Sequence, residues 1–284
     1  MIFCKRIGII NCIVEIETMS SKNYLMEVAY DGTEYSGWQI QPNHITVQSK
    51  IEEKLKQLYK TKINITGAGR TDAGVHALGM TASFAVPEKP VIPPEALNRA
   101  LNDLLPNSIS INKIYPVNNE FNARFDAKGK AYTYVISTKR DINPFSYRWS
   151  WKLNYSFDIC AIQNAANLLI GEHDFTAFGS ELAKNGKNPI REIYKIDIYR
   201  FDSYICITFL GRSFLYKMVR SLVGALVQVG IGKLKSEDIR NILISKDRMN
   251  LFKTAPANGL FLMKVFYDKN EWKLFKLDQL PFYK

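Results

Sequence analysis

No run of residues in this chain is apolar and uninterrupted enough to cross a bilayer, which takes about 20 of them, so a membrane partner is not expected. The four cysteines, Cys4, Cys12, Cys160 and Cys206, are scattered without a CxxC pair. Zinc-finger spacing is therefore absent, and reduced, mostly buried thiols are the expectation. No export signal is expected either. The N-terminal stretch MIFCKRIGIINCIVEIETMSSKN sets Lys5 and Arg6 before a short apolar run, but no small-residue cleavage site follows, and Glu15 and Glu17 come next. Residues 1–22 read as an extension, or as an early start with Met19 the true initiator, and deleting residues 1–18 is expected to be harmless. These absences together point to a cytoplasmic protein. Short-period repeats and low-complexity tracts are absent as well.

Acidic residues are in short supply: 38 Lys and Arg face 27 Asp and Glu, for a net charge of +11. Such a balance points to a polyanionic partner, nucleic acid first. Charge alone does not decide it, because AT-rich genomes favour lysine and many basic proteins bind nothing acidic.

With 284 residues, 46% of them hydrophobic, the chain can bury a core of one or two α/β domains. YLMEVAY (24–30) alternates as a strand and ends in the turn DGTEYSGWQ. Thr46 can cap a helix over 47–60, where Val47, Ile51, Leu55, Leu58 and Tyr59 share one side. INIT (63–66) and TASFAV (81–86) read as strands, and a helix near 95–102 starts just behind prolines. ISINKIYPV and AYTYVIST are two more strands. In the second half a helix is expected around 158–170. A hairpin of IYKIDIYRF and YICITFL follows, then an apolar helix over 214–230, a shorter one at 237–244, and a last strand at 259–267. Consecutive strands look hairpin-linked, which favours a mixed, largely antiparallel sheet in an α+β fold over a doubly wound one. The break between halves falls near 120–150, where polar turn residues and Pro144 gather. On helix 214–230, Leu215, Met218, Val219, Leu222 and Leu226 centre one side and Lys217, Ser221 and Gln228 lie opposite. Arg220 falls on the border, where a guanidinium can run its stem along the core and present its head to a partly buried anion.

GAGRTDAGVH (67–76) crowds three glycines, an arginine, an aspartate and a histidine between two strands. A dinucleotide fingerprint would need a third glycine where Asp72 stands, and the Gly-Lys-Ser/Thr of a phosphate loop is absent. Asp72 with His76 is too small a set for a metal, and no HExxH-like partner exists, so no metal site is expected. Taken alone, the residues fit a capped turn with Asp72 as an Asx-type residue.

The surrounding blocks add more. GRTDAGVHA closely resembles the active-site signature of the bacterial tRNA pseudouridine synthase A family. AYDGTEYSGWQIQP (29–42), FNARFDAKGKAYTY (121–134), GEHDFTAF (171–178), GRSFLYKMVRSLVGALVQVG (211–230) and APANGLFL (255–262) match that family in the same order. The resemblance covers roughly residues 24–267. Two departures stand out: Gly129-Lys130-Ala131 where basic residues are common before the YxY tyrosine, and Asn122 in FNARF where the family pattern has histidine.

The resemblance implies a pseudouridine synthase fold of two similar halves, with helices on one face of the sheet and the cleft between the halves. The division expected is 23–125 and 126–284, the first half carrying the catalytic loop. It implies an isomerase of tRNA processing that converts uridine to pseudouridine at positions 38, 39 and 40 of the anticodon arm. It also implies RNA binding, a homodimer, no cofactor and no DNA partner. Asp72 would be the nucleophile or base. Burial raises a carboxyl's pKa and a guanidinium lowers it, so an ionised Asp72 needs a cation, and Arg220 in the MVR block is that candidate. Tyr132 matches the family's base-stacking residue, with Tyr134 as support; without the match the two would read as an aromatic core pair. The loop glycines would make room for a flipped nucleotide. Arg70 can hold phosphate or fill the gap the base leaves, and Arg124 is a second phosphate or active-site contact. His76 fits a structural hydrogen-bonding role better than a proton shuttle. Lys128, Lys130, Lys187, Arg191, Arg212 and Lys217 would line the RNA approach. Alternatives are a non-catalytic tRNA-binding protein, which would not need Asp72, and a synthase for another structured RNA.

Overall fold

A computed structural model describes residues 22–140, 143–179, 188–247 and 252–283. Residues 1–21 of the extension and Lys187 lie outside the described residues, and Lys22 already opens the first strand. The chain divides into two compact units, one of residues up to 128 with 262–275, the other of residues 129–261 with 276–284.

In the first unit, strand β1 (Lys22–Tyr30) is followed by helix α1 (Val47–Tyr59), the short β2 (Thr66–Gly67), β3 (His76–Val86), helix α2 (Pro94–Leu104) and β4 (Ile109–Val117). The sheet runs β4-β1-β3 in antiparallel register, for example Leu25 opposite Ser83 and Tyr115, and β2 pairs with β3. Central β3 is buried on both faces almost throughout, while edge strand β4 buries Ile109 and Ile111 and exposes Ser110 between them. The Thr46 side chain accepts from the Ser49 amide and Ser49 answers the Thr46 amide, closing a capping box. Val47, Ile51, Leu55 and Tyr59, each four apart, form the buried stripe of α1. Pro94 opens α2, which buries Leu97 and Leu101 and packs on β4 and α1. The strand expected over 63–66 is cut to its end. The Ile65 amide donates to Glu52 and its carbonyl accepts from Gln48, so helix side chains satisfy a backbone that needs no strand neighbour.

The second unit holds β5 (Gly129–Ser137), β6 (Trp151–Lys152), α3 (Ile159–Asn167), β7 (Gly171–Asp174), β8 (Ile190–Phe201), β9 (Tyr204–Gly211), α4 (Met218–Gly230) and α5 (Ser236–Ser245). The last strand, β10 (Leu260–Phe266), begins here and ends in the first unit. The order is β5-β9-β8-β7, antiparallel, with β6 parallel to the end of β5. This is the α+β, largely antiparallel arrangement the hairpin-like spacing predicts. The β8–β9 turn is made at Asp202, which takes the left-handed conformation that Asp tolerates (φ 49°). Helix α3 packs against α4, α5 and β8.

Helix α4 departs from expectation in two ways. It begins at Met218, not at 214, because Lys217 has a left-handed backbone (φ 60°) and cannot continue a helix. Its expected polar side is kept only in part: Gln228 is half-buried, but Ser221 is fully buried, and its hydroxyl lies 3.3 Å from that of Thr254. A helix buried nearly all round reads as apolar all round, so its moment cannot tell which face is covered. The thiols differ from expectation as well. Cys206 is fully buried, which pushes its pKa up to about 12, but Cys160 is exposed on α3.

Candidate active site

The loop between β2 and β3 is gripped by the segment that follows β1. The Tyr30 hydroxyl lies 2.8 Å from Thr71 Oγ1, the Trp38 amide donates to the Thr71 carbonyl at 3.2 Å, and the Gly74 amide donates to Tyr35 at 3.3 Å. Thr71 is thus held on both its side chain and its carbonyl. Asp72, next along the chain, is half-buried, and its carbonyl accepts from the Val75 amide in a tight turn. Arg70, on the other side of Thr71, is exposed. Gly37 makes the grip possible. Its φ is +87°, and a Cβ there would stand 2.4 Å from the Thr71 carbonyl oxygen and 3.1 Å from the Asp72 carbonyl carbon. At Gly67 a Cβ would meet the buried Trp38 indole at 2.3 Å, so this glycine makes room for a tryptophan.

His76 closes the loop as a buried hydrogen-bonding residue, with Nδ1 3.0 Å from Asp31 Oδ1. The same nitrogen lies 3.1 Å from the Gly32 amide, a bond it can accept only when unprotonated. The two arrangements compete, and the full charge of the carboxylate favours Nδ1–H facing Asp31. Burial pushes the Asp31 carboxyl up, but hydrogen bonds from His76 and from the amide and hydroxyl of Thr33 outweigh it and hold it well below the usual carboxylate range.

Also in the first unit, Asn122 Oδ1 accepts from the amides of Arg124 and Phe125, an Asx turn that puts both side chains at the surface. Asn122 therefore has a turn-forming job of its own. The Arg124 guanidinium lies over the Phe125 ring at 5.5 Å. Tyr267 ties this loop to β3, its hydroxyl donating to the Ala123 carbonyl and lying 2.7 Å from Thr81 Oγ1.

In the second unit Tyr132 is buried on β5, edge-on to Phe214 at 5.3 Å between centroids. Tyr134, fully buried on the same face, donates to the Pro256 carbonyl at 2.8 Å. Burial holds its phenol well above the ordinary range, with the nearby Arg220 cation pulling the other way. Arg220 is half-buried in the first turn of α4. Of the residues expected to meet RNA, Arg212 is exposed, Lys217 stands over the Tyr216 ring at 5.0 Å, and Arg191 spends a terminal nitrogen on the Asn188 and Ile190 carbonyls. A cavity of about 280 Å³ in this unit, lined by residues between 137 and 152 with Asn258, contains none of the five expected site residues. Among the described residues, no group of three or more His, Cys, Asp or Glu is placed to hold a metal ion, and no helix is long and apolar enough to cross a membrane.

A family model described as tRNA pseudouridine synthase matches residues 26–126 and 165–268. The chain belongs to the tRNA pseudouridine synthase family. Membership places it among isomerases that make pseudouridine in tRNA. The curated relatives agree. It is 41% identical over 248 residues to tRNA pseudouridine synthase A 1 of Protochlamydia amoebophila (strain UWE25), covering 86% of this chain and 96% of that one. It is 43% identical over 248 residues to tRNA pseudouridine synthase A of Thermosipho africanus (strain TCF52B), covering 87% and 100%. With tRNA pseudouridine synthase A of Thermoanaerobacter sp. (strain X514) it shares 40% over 246 residues, again covering 87% and 100%. Arg70, Asp72, Arg124 and Arg220 fall inside the segments the family model matches; Tyr132 falls between them.

Sequence reasoning missed the grip of residues 30–38 on the loop, reading DGTEYSGWQ as a turn and as part of a family block. The signal was there in Tyr35 and Trp38, large aromatics that a surface turn has no use for and that are both buried.

Proposed function

We propose that this protein isomerises uridine to pseudouridine at positions 38, 39 and 40 of the tRNA anticodon arm, acting in the cytoplasm as a homodimer. The C1′–N1 bond breaks, the uracil turns, and a C1′–C5 bond forms while the C5 proton is exchanged for one at N1. The bonds broken and made nearly balance, so the task for the protein is to hold and ionise one carboxylate beside the sugar and base. Asp72 takes that role. Arg220 is its ion-pair partner, Tyr132 stacks on the extruded base and offsets an unstacking cost of a few kcal/mol, Arg70 holds phosphate or fills the vacated stack, and Arg124 is a second phosphate or active-site contact. The observation that carries this reading is the pinning of Thr71 beside Asp72 by Tyr30 and Trp38, within a segment that matches the family. A reacting carboxylate needs such a fixed backbone; a merely solvated one does not.

Asp72→Asn tests it. Pseudouridine formation on a tRNA transcript should vanish while the dissociation constant for that tRNA changes by no more than about twofold. Continued turnover by the variant would refute the assignment. Mapping pseudouridine in cells lacking the protein checks the target: loss at sites other than the anticodon arm would point to a different RNA.

A further inference from the structure

Arg220 is held by more than the helix that carries it. Its Nε donates to the Ala255 carbonyl at 2.8 Å, and the Ala255 amide donates back to the Arg220 carbonyl at 3.0 Å. Residues 253–256 therefore lie as a strap along α4. One turn onward the strap touches helix backbone: a Cβ on Gly224 would stand 2.0 Å from the Lys253 carbonyl oxygen. The Ser221 and Thr254 hydroxyls meet at 3.3 Å, and Tyr134 holds the far end through the Pro256 carbonyl. All of these residues lie within the second unit.

A guanidinium is a rigid plane, so fixing the direction of its Nε–H fixes that plane. With Nε committed to a carbonyl, an anion is met through the terminal nitrogens. We propose that residues 253–256, seated by Gly224 and anchored by Tyr134, are the positioning strap of Arg220 and set the plane in which its terminal nitrogens face an anion. The inference rests on the role given to Arg220 above. Ala255, Gly224 and Tyr134 are positioning residues; they act through Arg220.

The test is a double-mutant cycle of Gly224→Ala and Arg220→Lys, read by single-turnover pseudouridine formation and by tRNA affinity. Lysine keeps the charge but has no Nε donor, so it cannot bond the strap and present a fixed fork to an anion. Gly224→Ala should slow the single-turnover step by up to about 100-fold, the cost of a misplacement on the order of 1 Å, with affinity unchanged to about twofold. In the Arg220→Lys background the same change should add no more than about twofold, since the two act through one interaction. Equal losses in both backgrounds, or affinity falling in step with rate, would overturn the proposal. Should Gly224→Ala not fold, Tyr134→Phe removes only the hydroxyl on Pro256 and must show the same non-additivity with Arg220→Lys; additivity there overturns it equally. A wild-type protein that makes no pseudouridine refutes the proposed function itself, a result distinct from failure of the strap in an active enzyme.

Discussion

At Asp31 two effects oppose each other, burial raising the carboxyl's pKa and the bonds from His76 and Thr33 lowering it further than burial lifts it. The sign has a consequence. A carboxyl whose folded pKa lies below its unfolded value of about 3.9 contributes its full stability above that value and loses it as pH falls toward the folded pKa. Urea midpoints measured from about pH 6 downward should therefore fall on the acid side, and Asp31→Asn should flatten that limb while costing about 1–3 kcal/mol at neutral pH. An unchanged acid limb would mean the His76 and Thr33 bonds are not made in solution. Gly37 yields a second expectation. Gly37→Ala combines a positive φ with a carbonyl 2.4 Å from the new carbon, so it should destabilise by about 1–3 kcal/mol and slow turnover through Asp72. Turnover falling only in proportion to the folded fraction would separate the loop's position from catalysis. The need for glycine at 37 was not legible in the sequence, because the atoms that collide belong to residues 71 and 72.

Elements were read best where their signals are local. Helix α1 is an example: the Thr46 cap and the spacing of Val47, Ile51, Leu55 and Tyr59 act within a few turns, and the helix forms where they put it, with Leu58 only half-buried. Thr46→Ala should cost about 1 kcal/mol, measured as a shift in the urea midpoint; no shift would mean that packing alone sets this terminus. Truncating Ile51 to alanine should cost several times more, about 2–5 kcal/mol, since it is fully buried. Helix α4 shows the opposite case. Its start depends on the backbone of Lys217, and its covered faces depend on β5, α3 and the 253–256 strap, so the projection misassigned Ser221.

For the whole molecule the governing quantity is the net charge of +11. Affinity for tRNA should fall steeply with salt as counterions are released, and Arg124→Ala should reduce the slope of log affinity against log salt by about 1 if that side chain meets a phosphate. An unchanged slope would assign Arg124 to the Phe125 ring alone. Residues 262–275 join the first unit with those up to Lys128, a return no local composition announces.

The order of the blocks and their residue types were enough to establish the family, the α+β class and the identity of Asp72 as the residue to test, because caps, stripes, hairpin spacing and motif order are properties of neighbours along the chain. Three things were settled only by the tertiary structure: that Gly67 lies against Trp38, that Tyr30 and Trp38 hold Thr71, and that the Ala255 carbonyl accepts from Arg220. Each depends on two segments at least 29 residues apart meeting within hydrogen-bond or van der Waals distance. Such a meeting is set by packing of the whole core, and no local pattern encodes it.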